Sequence, residues 1–124
     1  MLSKYKHIYW CEDCLLKYGR PVIAYGAYQA RKFFASMYGY YTVDVYAKRL
    51  ARLPNHLQGL TDSQIPDDIT IRQCGIWVID TTLPPKDDLE AKIITMAKRG
   101  FREPSHRIIY CKDLKSRFIF QEKI

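Results

Sequence analysis

Long apolar runs are absent from the chain; stretches such as Gly75 to Ile79 are far too short to cross a bilayer. The N-terminal segment carries lysines but lacks the apolar core, roughly 7–15 residues long, of a secretory signal. Export is therefore not expected. In a cytoplasmic protein the four cysteines read as reduced thiols or metal ligands, not as a disulfide framework. Glycine-rich phosphate loops, Gly-x-Ser-x-Gly and His-Glu-x-x-His are missing, and with them the readable signatures of several hydrolase classes. The three histidines form no nucleophile–base pattern: His7 and His56 are expected near the surface, and His106 begins the last hairpin. There is no internal repeat, low-complexity tract or linker. Residues 1–124 are accordingly expected to form a single compact domain.

Acidic charge is scarce in one half only. Residues 1–60 hold nine Lys/Arg against three acids (Glu12, Asp13 and Asp44), a balance of +6, whereas residues 61–124 hold eleven against ten, a balance of +1. Nine of the ten tyrosines share that first half, leaving only Tyr110 beyond it. Cations and flat rings concentrated together suit nucleic acid, with phosphates on the charges and bases on the rings. They also suit a protein interface, where Tyr and Arg give large contact area at low entropy cost.

The apolar pattern divides the chain into short elements. His7 to Trp10 alternates as a strand, Leu15 to Tyr18 reads as one helical turn ended by Gly19 and Pro21, and Val22 to Tyr25 as a second strand. Over residues 27–38, Ala30, Phe33, Phe34 and Met37 fall at helical spacing and predict the buried face of a helix that Gly39 closes. Tyr28, Arg31, Lys32 and Ala35 lie opposite. Val43, Val45 and Ala47 alternate with polar residues as a half-buried strand. Leu53 to Ile69 reads as a long connection with a turn near Asp62–Ile65, and Asp67-Asp68 as turn chemistry after Pro66. Ile69–Arg72 and Gly75–Asp80 read as strands. Residues 86–99 form the best-marked helix, with Asp87, Asp88 and Glu90 at its positive end, Lys98 and Arg99 at its negative end, and Leu89, Ile93, Met96 and Ala97 facing inward. Arg107–Cys111 and Arg117–Gln121 close the chain as a hairpin around Lys112–Ser116. The expected class is α+β: two main helices packed on a mostly antiparallel sheet of five to seven short strands.

Two patterns carry possible chemistry. Cys11-Glu-Asp-Cys14 has the spacing that lets two thiolates reach one tetrahedral zinc, with Cys74, Cys111 and His106 as candidates to complete the site and His7 four residues upstream of Cys11. The same Cys-x-x-Cys after a strand is a redox-motif spacing, but Glu12 and Asp13 between the thiols disfavour the thiolate such chemistry needs. Asp80 followed by Glu90-Ala-Lys92 has the residue types of a metal-dependent nuclease. In those sites Glu-x-Lys lies on a strand, whereas here it falls in a helix and points its two side chains apart. Glu90 is better placed as a first-turn charge.

The stretch RPVIAYGAYQARKFFASMYGYYTVDVYAKRL, with Ala30-Arg31 inside the helix, Gly39 closing it and Val-Asp-Val leading to a basic residue, resembles a strand–helix–strand unit in small uncharacterised proteins of bacteriophages and mobile elements. The resemblance covers residues 20–50. It implies an accessory protein acting by binding a host or viral macromolecule, and it supplies no catalytic residues. The expectation is a non-enzymatic binding protein of the cytoplasm without a small-molecule substrate or a membrane partner. Lys4, Lys6, Arg31, Lys32, Lys48 and Arg49 would contact phosphates, and Tyr5, Tyr28, Tyr40 and Tyr41 would stack on bases. The alternatives are an inhibitor or modulator docking on a host protein, including a defence protein, and a small zinc-binding subunit held by Cys11, Cys14, Cys74 and Cys111.

Overall fold

The structure, a computed structural model, describes residues 3–14, 18–60, 65–100, 107–112 and 118–121, the backbone alone being described for 98–100, 107 and 118–121. The expected α+β class with antiparallel strands is what it shows. The chain divides into two compact units, Met1–Cys74 and Gly75–Ile124.

The first unit is built on three strands, β1 (His7–Asp13), β2 (Gly19–Ala24) and β3 (Val45–Arg52), in the order β2-β1-β3 and antiparallel throughout. Helix α1 (Ala27–Tyr38) covers one face. Tyr9, Cys11, Val22, Ala24 and Val45 meet Ala30, Phe34 and Ala35 there in a core that Phe33, Tyr38, Tyr40, Ala47 and Ile65 partly close. Each fully buried large side chain contributes about 1.5–3 kcal/mol relative to exposure. On the other face, Ile8, Trp10 and Ile23 are also buried. Gly19 is required beneath Trp10, because a Cβ there would stand 2.5 Å from the indole ring.

Both ends of α1 follow from its sequence. Gln29, in the first turn, accepts a hydrogen bond at 2.7 Å from the N–H of Tyr25, the residue before the N-cap Gly26, and so ties the end of β2 to the start of the helix. Gly39 closes the helix at φ 77°, a left-handed conformation a side chain would resist. The face it buries differs from the one predicted by apolar spacing. Ala30, Phe34 and Ala35 are buried, Phe33 is half-buried, and Met37 is 53% exposed. The small Ala30 and Ala35 let the backbone approach the sheet on either side of Phe34, so size decided the contact face where hydrophobicity alone pointed to Met37.

Beyond β3 the chain is latched to β1. Leu53 N–H donates to Lys6 O at 3.1 Å, and the Gln58 side-chain amide accepts from Lys6 N–H at 2.9 Å while donating to Lys6 O at 3.1 Å and Leu53 O at 2.8 Å. The amide stands in for a strand partner where the ladder ends. Helix α2 (Asp68–Gln73) occupies the segment whose Ile-Thr-Ile pattern predicted a strand. Asp67 overrides that pattern: its carboxylate caps the helix by accepting from Thr70 N–H at 2.8 Å.

The second unit holds β4 (Ile76–Asp80), β5 (Arg107–Cys111) and β6 (Phe118–Gln121), antiparallel in that order, with helix α3 (Asp88–Gly100). The closing hairpin is present, its tip lying outside the described residues. Ile79, Ile93, Ala97, Ile108 and Tyr110 form its core. Leu89 and Met96, expected inside, are exposed, while Glu90 is buried and accepts from Lys86 N–H at 3.2 Å. The strands therefore form two three-stranded sheets where one was expected. The first sheet has poor edges for extension: Pro21 on β2 has no N–H to offer, and β3 is bulged.

Candidate functional site

Side chains three apart on a regular strand point to opposite faces. Arg49 and Arg52 do not. Between Ile8 and Tyr9 the register shifts, so that Tyr9 opposes Arg49, Ile8 opposes Ala51 and His7 opposes Arg52. Leu50 is the extra residue of a β-bulge, buried at 2% exposure, and the bulge brings both arginines to the face that carries His7 and Tyr9.

Each guanidinium is braced by a ring. Arg52 lies 3.6 Å from the Tyr5 ring centroid and donates to Asn55 Oδ1 at 3.0 Å. Arg49 lies 5.9 Å from the Tyr9 centroid and donates to the Tyr9 hydroxyl at 3.4 Å. Lys4 Nζ is 5.7 Å from Tyr5. All these partners are neutral, so they fix the cations without cancelling their charge. Stacking leaves the N–H edges of a guanidinium available to a phosphate or carboxylate. His7 sits beside them with its ring centroid 6.3 Å from that of Tyr9. Its Nδ1 is 2.9 Å from Tyr5 O. A carbonyl only accepts, so Nδ1 carries the proton. Burial, and then the positive charge of Arg49, push the His7 pKa below its ordinary value.

The remaining expected binding residues divide. Tyr28, Arg31 and Lys32 share one stripe of α1, with Tyr28 63% exposed and Arg31 stacked 5.6 Å from its ring centroid. Arg31 Nε is buried without a hydrogen-bond partner among the described residues. Tyr41 is 79% exposed in the turn after α1, whereas Tyr40 is half-buried with its ring 5.7 Å from Phe34. Lys48 opposes Trp10 and so faces away from Arg49 and His7. Lys6 leaves the surface altogether: it is 7% exposed, and its ammonium donates to Leu60 O. A lysine in a charged N-terminal run reads as solvated, and nothing local in the sequence shows that residues 58–60 fold back over it.

Cys11, Cys14 and Cys74 belong to the first unit and Cys111 to the second, and His106 lies outside the described residues. Cys11 lies in the core beneath α1, where burial pushes its thiol up to about 12, and Cys74 at the end of α2 is raised by burial to about 11. Cys14 is exposed and Cys111 is buried on β5. Among the described residues no three His, Cys, Asp or Glu side chains lie close enough to hold a metal ion. Asp80 accepts from both Thr82 N–H (2.9 Å) and Thr82 Oγ1 (2.6 Å), Glu90 belongs to the start of α3, and Lys92 is exposed.

Arg52 was absent from the sequence-derived set, and His7, expected near the surface and noted only as lying four residues before Cys11, is instead buried at 8% exposure. Their spacing gives no signal without the bulge. Comparison with family models, with curated proteins and with solved structures finds no match for this chain. Among the described residues no helix is long and apolar enough to cross a membrane.

Proposed function

We propose that this protein is a non-enzymatic nucleic-acid-binding module of the cytoplasm that holds single-stranded backbone on its first unit. The observation that carries this reading is the pair Arg49 and Arg52, turned to one face by the bulge, each braced by a tyrosine, with neutral partners throughout. Phosphates would take the guanidiniums. Tyr41 and Tyr28, the more exposed rings, would meet bases. A net charge of +7 favours such a partner before contact. Fluorescence anisotropy with mixed-sequence single-stranded DNA and RNA at about 50 mM salt tests the reading where phosphate contacts are strongest. Saturable binding that weakens steeply toward about 200 mM is the expected result, and no binding to either polymer would dismiss it.

A second reading has its own observation. Tyr41 and Val43 stand 79% and 88% exposed in the turn between α1 and β3, and Tyr46 is 51% exposed nearby in sequence. Apolar side chains so exposed suit docking on a host protein, the role implied by the resemblance of residues 20–50 to phage and mobile-element accessory proteins. Capture of a partner that survives nuclease treatment and is lost in Val43→Ser with Tyr41→Ser would favour it.

A further inference from the structure

We propose that His7, Arg49 and Arg52 form a phosphate site whose occupation draws one proton onto His7. The inference rests on the nucleic-acid reading for the source of the phosphate, but the site and its chemistry stand on the geometry of β1 and β3.

Three groups able to carry positive charge lie on one face of two paired strands: His7 opposite Arg52, with Arg49 opposite the neighbouring inward residue Tyr9. The partners of the two arginines are two rings, a hydroxyl and an amide. On β2 the register partner of His7 is Ala24, which carries no charge. Arg49 and Arg52 are the charges acting on the imidazole, and both oppose its protonation. Without an anion the third charge is therefore withheld. A phosphate between the arginines offsets their opposition to the proton, and a nearby negative charge favours the charged imidazole. Nδ1 already donates to Tyr5 O, so the proton goes to Nε2. Without this coupling the arrangement would hold two fixed charges. With it the site answers a bound phosphate with a third.

Calorimetry of the wild-type protein with an oligothymidylate of roughly ten nucleotides, in two buffers of different ionisation enthalpy at pH 7, reads the proton directly. The expected result is uptake of up to one proton per bound strand, with affinity rising by as much as about tenfold per pH unit below roughly pH 7. His7→Gln, which retains a donor for the Tyr5 carbonyl, should bind without that pH dependence. Arg52→Gln, at an exposed position, should lose both affinity and proton uptake. Inorganic phosphate supplies the second arm, read as pH-dependent thermal stabilisation lost in Arg52→Gln. Binding of the oligonucleotide with buffer-independent enthalpy overturns the inference and leaves the nucleic-acid reading intact. Stabilisation by inorganic phosphate without oligonucleotide binding supports the site and removes the nucleic-acid reading. Binding of neither overturns both.

Discussion

The Arg52 guanidinium lies 3.6 Å over the Tyr5 ring, and Arg52 is also the strand partner of His7. One contact thus ties the N-terminal segment to the end of β3 and sets a cation beside an imidazole. Tyr5 was expected to stack on bases. Its ring instead holds Arg52, so its contribution to a ligand runs through the guanidinium.

Arg52→Ala should weaken single-strand binding by about 1.5 kcal/mol, roughly tenfold, and Tyr5→Ala should reproduce part of that loss. Arg52→Lys should not restore it fully, because an ammonium neither stacks in the same plane nor presents a bidentate edge. Urea midpoints should barely move for Arg52→Ala, since the side chain is exposed. A full rescue by lysine would mean that charge alone matters and the stacking is incidental.

The inward face of α1 can be checked by a pair of truncations. Phe34 is fully buried and touches the Tyr18, Tyr38 and Tyr40 rings at centroid distances of 6.2, 4.9 and 5.7 Å. Phe34→Ala should cost about 3–5 kcal/mol, whereas Met37→Ala should stay within about 0.5 kcal/mol. Denaturant unfolding measures both. Equal costs would return the helix to the orientation that apolar spacing suggests.

Stability should depend on His7. Burial and Arg49 hold its folded pKa below the ordinary value of about 6.5. As pH falls through that value the unfolded chain takes up the proton first, so the folded state loses stability until its own lower pKa is reached. The urea midpoint of the free protein should therefore fall between about pH 7 and pH 5.5. His7→Gln should flatten the change. An unaltered slope in that variant would show that other groups set it.

Thiol chemistry separates the cysteines. Cys14 is exposed, while Cys11, Cys74 and Cys111 are buried, Cys11 and Cys74 with raised pKa. A disulfide reagent at neutral pH should modify Cys14 quickly and the others only on unfolding. Protection of Cys14 that a chelator removes would instead point to a bound metal.

The elements most legible in the sequence are those whose ends are marked by local chemistry. Gly39 stops α1, and Asp87 with Glu90 opens α3, its carboxylate accepting Glu90 N–H at 2.8 Å. Legibility fails where a distant contact decides. Ile69–Arg72 is a local exception, reading as strand although Asp67, two residues before it, caps a helix. Lys6 reads as surface until Leu60 folds over it. The bulge at Leu50 depends on which strand pairs with β3, and without it Arg49 and Arg52 belong to opposite faces.

The most direct measurement is the salt dependence of single-strand binding in the wild type and in Arg49→Gln with Arg52→Gln. Each phosphate contact on a single strand contributes about 0.7 to the slope of log affinity against log salt. If both arginines meet phosphate, the double variant should bind more weakly and its slope should be shallower by roughly 1.4. An unchanged slope, with binding retained, would place the phosphates elsewhere on the molecule and contradict the account.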